Sequence, residues 1–387
     1  MAVAIEPVPH DDMVATRRHL HRHPELSMVE HETAALVARE LGKLGLDEIR
    51  TGIGETGVVG TLVGGKPGPV TLLRADMDGL PITEITGAEY VSQKPGVMHA
   101  CGHDGHVAIL LAAATTLAAR RAEVPGTLVF CFQPGEEGKA GAKKMIADGV
   151  LENPHVDRTF ALHLYSGLEV GKIGIHDGAF FASADEYDLT IRGKGGHGAM
   201  PQNSFDPIVA GAYLVTMLQT VISREIAPKD PAVVTVGQFT SGTTFNVIPD
   251  EAKLQGTVRA FDDAVRKSMP ERMERIIKGL AAAMRVDYTF NYHWSYPPTV
   301  NNNIINDIVR TVGREVLGAD NVVDPHDIVM WAEDMSFMQN ERPGAYYIVG
   351  SRGGDSTGVP HHNARFDIDE RALDIGYRMM VALGFHG

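Results

Sequence analysis

Gly126-Thr127-Leu128-Val129-Phe130-Cys131-Phe132 is a short apolar run rich in β-formers, and it is closed by Gln133-Pro134-Gly135-Glu136-Glu137-Gly138. It reads as a buried strand. Helical patterns flank it, Asp104 to Arg121 before and Ala140 to Asp148 after. Outward from there the alternation continues. Asp11 to Leu20 and Met28 to Leu44 read as helices, the second ending at Gly45, and Val58 to Val63, Val70 to Leu73 and Thr159 to Leu162 as strands. Strands alternating with helices imply an α/β layer whose sheet is mixed but largely parallel.

The middle of the chain changes character. Glu186 to Ile191 reads as a strand, Asp206 to Arg224 as a helix, Val233 to Phe239 and Ala252 to Ala260 as strands, Asp262 to Met284 as a helix and Arg285 to Tyr292 as a strand. The order β-α-β-β-α-β is a ferredoxin-like split unit. After Pro297-Pro298, α/β alternation resumes with Ile304 to Leu317 and Ala345 to Val349. The expected architecture is therefore a discontinuous α/β domain, 1–184 with 296–387, carrying an inserted ferredoxin-like α+β domain at 185–295.

The chain has 387 residues, enough for two domains that each bury a core. A formal charge of −14 without a Lys/Arg stripe argues against a nucleic-acid surface. No apolar stretch is long enough to span a bilayer. The start, with Glu6, Asp11 and Asp12, lacks the basic-then-apolar order of a signal peptide, so a cytoplasmic location is expected. The two cysteines have different surroundings: Cys131 lies within the apolar strand, Cys101 among metal-competent neighbours.

Four polar clusters follow strands or open helices, where α/β sheets place their functional crevice. They are Arg74 to Pro81, the run Met98-His99-Ala100-Cys101-Gly102-His103-Asp104-Gly105-His106, Gln133 to Gly138, and His163; Pro360-His361-His362-Asn363 comes near the end. Cys101 and His103 are two residues apart, so both reach one ion only if the chain is still turning between them. Thiolate, imidazole and carboxylate donors suit Zn²⁺ or Mn²⁺, and paired glutamates divide the work between binding metal and moving a proton. Each cluster alone has a plainer reading: a packed histidine at His163, a solvated turn at Glu136-Glu137, a turn or helix cap at Asp76 and Asp78. Their placement after successive strands favours a site. His19, His21, His23, His99 and His106 are expected to be structural.

These residues, together with Arg18 to Leu26, Gly193-Lys194-Gly195-Gly196-His197, Asn246 to Asp250 and Glu333-Asp334-Met335-Ser336, occur in an order that resembles the N-acyl-amino-acid amidohydrolases, the aminoacylase and hippurate hydrolase group of dinuclear metallopeptidases. The resemblance runs nearly end to end. It implies two divalent ions (Zn, Mn, Co or Ni) held by Cys101, His103, Glu137, His163 and His362. Cys101 would bridge them, joined by His103 and His163 on one ion and by Glu137 and His362 on the other. Glu136 would be the general base and Asp78 would orient a ligand histidine. The family's histidine before Asn-Pro selects His362 over His361, although Ala364 stands where the proline would be.

The resemblance also implies that the inserted domain dimerises and acts as a lid. His197 would reach a neighbouring subunit's site to stabilise an oxyanion. Asn246 and Arg259 would grip the substrate carboxylate, with a surface strand arginine as the other reading of Arg259. The expected activity is hydrolysis of an N-acyl amino acid to a carboxylic acid and a free amino acid. Rival expectations are a dipeptidase or carboxypeptidase on the same scaffold, and a metal-binding or carrier protein without catalysis. The expected partners are this small-molecule substrate and a second copy of the chain, as a homodimer or higher homo-oligomer, with no nucleic acid and no membrane.

Overall fold

A computed structural model describes residues 8–387; Glu6, part of the acidic start, lies outside them. In chain order the elements begin α1 (His10–Arg22), α2 (His31–Leu41), β1 (Glu48–Ile53), β2 (Gly57–Val63), β3 (Lys66–Asp76), α3 (His103–Ala119), β4 (Pro125–Gln133), the single turn α4 (Glu136–Lys139), α5 (Gly141–Ala147) and β5 (Arg158–Glu169). They continue with β6 (Ile173–Gly174), β7 (Gly178–Phe181), β8 (Ala184–Arg192), β9 (Gly196–His197), α6 (Pro207–Thr220), β10 (Ala232–Ser241), β11 (Val247–Ile248), β12 (Glu251–Ala260), α7 (Asp263–Met284) and β13 (Asp287–Tyr296). The last are β14 (Thr299–Asn301), α8 (Asn303–Leu317), β15 (Val322–Val323), α9 (Met335–Glu341), β16 (Gly344–Arg352) and α10 (Arg371–Phe385).

Contacts divide the chain into two compact units. One comprises the described residues through Gly178 with Val300–Asp327 and Asp334–Gly387; the other is Ala179–Thr299 with Ile328–Glu333. The first is built on an eight-stranded mixed sheet in the order β1-β2-β4-β3-β5-β16-β6-β15. Its centre, β4-β3-β5-β16, is parallel throughout. These strands are buried on both faces, as Leu72, Leu73, Val129, Phe130, Phe160 and Ala161 illustrate, which explains their continuous apolar runs. Helices α1, α3 and α10 pack together, and α3 is buried along nearly its whole length.

Two local expectations change. The helix read from Met28 begins only at His31, because Met28 has φ +69° and its N–H donates to the Glu30 carboxylate at 2.9 Å. Strand β1 had no sequence signal: it pairs antiparallel at the sheet edge and none of its residues is buried, so no apolar alternation marks it.

The second unit carries the four-stranded antiparallel sheet β10-β12-β8-β13, the strand order of the split unit read from the sequence. Alternating β8 residues Tyr187, Leu189 and Ile191 bury against Leu214 and Leu218 of α6 and Met273 and Ile277 of α7. Buried Asp185 accepts two hydrogen bonds from Arg266, at 2.8 and 2.7 Å, and one from Tyr292. Among the described residues no helix is long and apolar enough to cross a membrane.

Candidate metal centre

Cys101 and His103 share one site because Gly102 between them adopts φ +92°, a left-handed conformation cheap for glycine. The chain turns there, and α3 begins at His103. The helix start lies close against β5: a Cβ on Gly105 would meet Leu164 Cδ1 at 2.5 Å. Strand β5 brings His163, whose Nδ1 donates to the Leu164 carbonyl at 2.8 Å and whose Nε2 lies 3.4 Å from Cys101 Sγ. His103 has the same polarity. Its Nδ1 lies 2.9 Å from the Asp78 carbonyl and 3.3 Å from Asp78 Oδ1, while its buried Nε2 has no hydrogen-bond partner. Both rings thus spend Nδ1 on the protein and leave Nε2 for the centre, His163 Nε2 facing the thiol and His103 Nε2 standing 3.6 Å from Asp76 Oδ2.

The other side is made by Glu137 and His362. His362 Nε2 lies 3.1 Å from Glu137 Oε1. Glu137 is fixed through its backbone, its N–H donating to Asp78 Oδ2 at 2.9 Å, and Ser27 Oγ donates to the same oxygen at 2.7 Å. His362 has φ +61°, a conformation that costs a non-glycine residue roughly 1–2 kcal/mol. Its N–H is held by the Ala100 carbonyl at 2.8 Å. The neighbouring His361 turns away: its Nε2 accepts from Ser166 N–H at 3.3 Å and its ring packs on Phe366 and Tyr165.

The ligand atoms of Cys101, His103 and His163 lie within 4.8 Å of one another, as do those of Cys101, Glu137 and His362, and of His103, Glu136 and Glu137. Cys101 belongs to two of these groups. Hydrogen bonds to Cys101 and then Glu137 raise the pKa of His362 to about 10. Burial opposes charge on His103, but Asp76 and Cys101 outweigh it and raise its pKa well above the ordinary value. His163 is driven the other way, by burial and by His106 and His361, and stays neutral. The cluster calls for positive charge, and an open imidazole nitrogen, a thiol and carboxylates are the donors that divalent cations take. The residues fit a pair of such ions.

Glu136 is buried beside this set, and its Oε1 accepts from Asp334 N–H at 3.4 Å. Asp334 is itself anchored by the buried Arg74, which bonds Asp76 at 2.7 Å, Gln133 at 2.9 Å and Asp334 at 3.0 Å. The sequence reading assigned no role to this arginine or to Asp334, and the turn or helix cap read at Asp76 is instead a buried acceptor for Arg74 and His106. His106 spends both ring nitrogens, Nδ1 on Asp76 at 2.6 Å and Nε2 on Leu164 N–H at 2.9 Å, so it braces the strand next to His163.

His197, Asn246 and Arg259 lie in the second unit. His197 and Asn246 are exposed and adjacent, with Gly198 N–H donating to the Asn246 carbonyl at 2.8 Å across the β9-β11 ribbon. His197 Nδ1 accepts from Ala199 N–H at 3.0 Å, which leaves the ring proton on Nε2. Arg259, half-buried on β12, bonds Thr257 Oγ1 and the Val258 carbonyl.

The model of peptidase family M20/M25/M40 matches residues 72–384. An N-acyl-L-amino acid amidohydrolase of Geobacillus stearothermophilus is 46% identical over 291 residues, 75% of this chain and 78% of the relative. An IAA-amino acid hydrolase of Arabidopsis thaliana is 40% identical over 378 residues, 96% of this chain and 85% of the relative. A solved Bacillus subtilis structure, described as a dinuclear metal-binding peptidase of the M20 family, superposes with a TM-score of 0.85 at 34% identity, covering 97% of each chain. With these relatives, and with a donor set suited to two cations, the chain belongs to peptidase family M20/M25/M40 and is a metal-dependent hydrolase of amide C–N bonds.

Proposed function

We propose that this enzyme hydrolyses the amide of N-acyl amino acids to a carboxylic acid and a free amino acid. One observation carries the mechanism: the turn α4 that follows β4 presents two adjacent carboxylates with different surroundings. Glu137 is paired with His362, whereas Glu136 lies buried beside the ligand atoms of His103 and Glu137. The ligands are Cys101, His103, Glu137, His163 and His362, with Cys101 between the two groups. Two divalent cations held there would supply the Lewis acidity that polarises a scissile carbonyl and acidifies water. Glu136 takes the proton from the attacking water, whose oxygen bonds to the acyl carbon. When the C–N bond breaks, Glu136 returns that proton to the leaving amine. Asp78 holds His103 in the tautomer that keeps Nε2 open.

The mixed donor set accommodates Zn²⁺, Mn²⁺, Co²⁺ or Ni²⁺. His197, with its proton on Nε2, is a donor suited to an oxyanion in a partner copy's site. Asn246 and Arg259 are the candidates for the substrate carboxylate. Dimerisation is supported by the second unit itself. Val209, Tyr213 and Met217 form an exposed stripe at four-residue spacing on α6, and β10 is an edge strand. Light scattering should find a dimer that Tyr213→Glu with Met217→Glu makes monomeric; a monomeric parent protein refutes this interface.

The activity is tested by presenting N-acetyl, N-benzoyl and indole-acetyl amino acids and dipeptides to protein reconstituted with each metal. Hydrolysis of N-acyl substrates is expected. Turnover of dipeptides alone would place the enzyme among peptidases, and no turnover with any metal would refute the catalytic reading.

A further inference from the structure

Arg17 lies on α1, in a sequence segment with no metal donor role, and it is completely buried. Its guanidinium meets three carboxylates from distant parts of the chain: Nε donates to Asp104 at 2.8 Å, Nη2 to Asp367 at 2.7 Å and Nη1 to Glu370 at 3.3 Å. His21, one turn along α1, adds its Nδ1 on Asp104 at 2.8 Å. Tyr90 closes the cluster, its ring 4.7 Å from the Arg17 guanidinium and its hydroxyl donating to Asp367 at 2.7 Å.

The carboxylates matter for where they stand. Asp104 directly follows His103, and Asp367 lies five residues beyond His362. The His362 side chain is half-exposed and its backbone is left-handed, so its position depends on how the segment is anchored on either side. The segment is tied at one end by His362 N–H on the Ala100 carbonyl and at the other by Asp367 on Arg17. A planar fork can serve several carboxylates in fixed directions, which a lysine ammonium cannot. We propose that Arg17 is a positioning residue for the dinuclear centre, setting the His362 loop against the His103 turn through Asp104 and Asp367. The proposal rests on the ligand set given above.

The test is Arg17→Lys, which keeps the charge and loses the fork. Chelator competition with Zn²⁺ and the absorption spectrum of the Co²⁺-loaded protein are the readouts. The expected result is affinity at one of the two ions weakened about tenfold or more, with an altered Co²⁺ spectrum. Leu117→Ala, a core truncation on α3, is the control for lost stability and should bind its ions like the parent. Parent-like affinity and spectrum in Arg17→Lys, or equal weakening in Leu117→Ala, would overturn the proposal. If Arg17→Lys does not fold, Asp367→Asn decides by the same readouts: a weakened ion supports the role and an unchanged one overturns it. His362→Ala separates the two levels. If it retains both ions, the ligand set is wrong; if it loses one while Arg17→Lys binds normally, only the positioning role fails.

Discussion

Replacing Asp78 by asparagine tests how the centre is held, because the two oxygens of this buried carboxylate serve different ligands. Oδ1 faces His103 Nδ1 at 3.3 Å, and Oδ2 accepts from Glu137 N–H at 2.9 Å and Ser27 Oγ at 2.7 Å. An amide of the same shape has one acceptor and one donor. If its oxygen faces His103, its NH₂ meets the Glu137 N–H, donor against donor, and the backbone carrying one ligand must shift. If it flips, its NH₂ faces His103 Nδ1. His103 Nδ1 then keeps only the Asp78 backbone carbonyl at 2.9 Å as acceptor and loses the charged one, so the ring that presents Nε2 to the metal is held less firmly.

Either orientation removes one hydrogen bond to a charged group, worth roughly 1.5–3 kcal/mol. Part of that loss falls on the folded protein and part on metal binding, where a partner of this kind is worth about 10–100-fold in affinity. Asp78→Asn should therefore bind its ions about 10–100-fold more weakly and lose stability in the metal-free state. Chelator competition measures the first and urea unfolding of chelated protein the second. Parent-like metal affinity would refute the claim that the Asp78 carboxylate holds His103 and Glu137 in place for metal. Unchanged stability of the metal-free protein would refute the hydrogen-bond assignment.

Glu136→Gln should keep both ions by elemental analysis while turnover falls by about 10²–10⁴; near-parent kcat would remove Glu136 as the base. Cys101→Ala takes a donor from both groups of ligand atoms, so metal content and activity should fall together, and full occupancy would exclude the thiol as a ligand. His21 predicts a pH dependence of stability. Burial disfavours its charge, but hydrogen bonds to Asp104 and Glu84 outweigh this and raise its pKa. Its protonated form therefore stabilises the fold fully below the unfolded value of about 6.5, and that contribution is lost as pH rises through the folded-state pKa. Urea titrations of chelated protein from pH 6 upward should show a decline that His21→Gln flattens; an unchanged slope in that variant would show that His21 is not its source.

The α/β alternation was legible because β3, β4 and β5 are buried on both faces and so appear as unbroken apolar runs, bounded by polar clusters at their ends. The split order of the second unit was legible for the opposite reason: β8 and β12 are covered on one face and alternate. What escaped had no pattern to show. β1 is an exposed edge strand, and the start of α2 is set by a hydrogen bond from Met28 to Glu30 that no helical period records. The braces of the site escaped because their partners are remote in sequence. Arg17 reads as an ordinary charged residue on an amphipathic helix until Asp104 and Asp367, 87 and 350 positions away, come to meet it.

The histidines of the Cys101 run show where sequence reasoning must stop. His103 and His106 stand three residues apart on α3, both buried and both bonded to an aspartate through Nδ1. Residue type, spacing and burial are the same for the two, and so is the first partner. The second nitrogen separates them. On His106 it accepts Leu164 N–H, and on His103 it has no hydrogen-bond partner. An imidazole with both nitrogens engaged has no lone pair left for a cation, so His106 is excluded as a ligand by its own hydrogen bonds. His163 obeys the same rule, with Nδ1 given to the Leu164 carbonyl and Nε2 turned to Cys101. Leu164 thus uses its N–H to occupy His106 and its carbonyl to orient His163. One residue at the helix–strand contact decides which neighbouring histidine keeps a nitrogen for metal, and Gly105 packs there with no Cβ, where one would meet the Leu164 side chain at 2.5 Å.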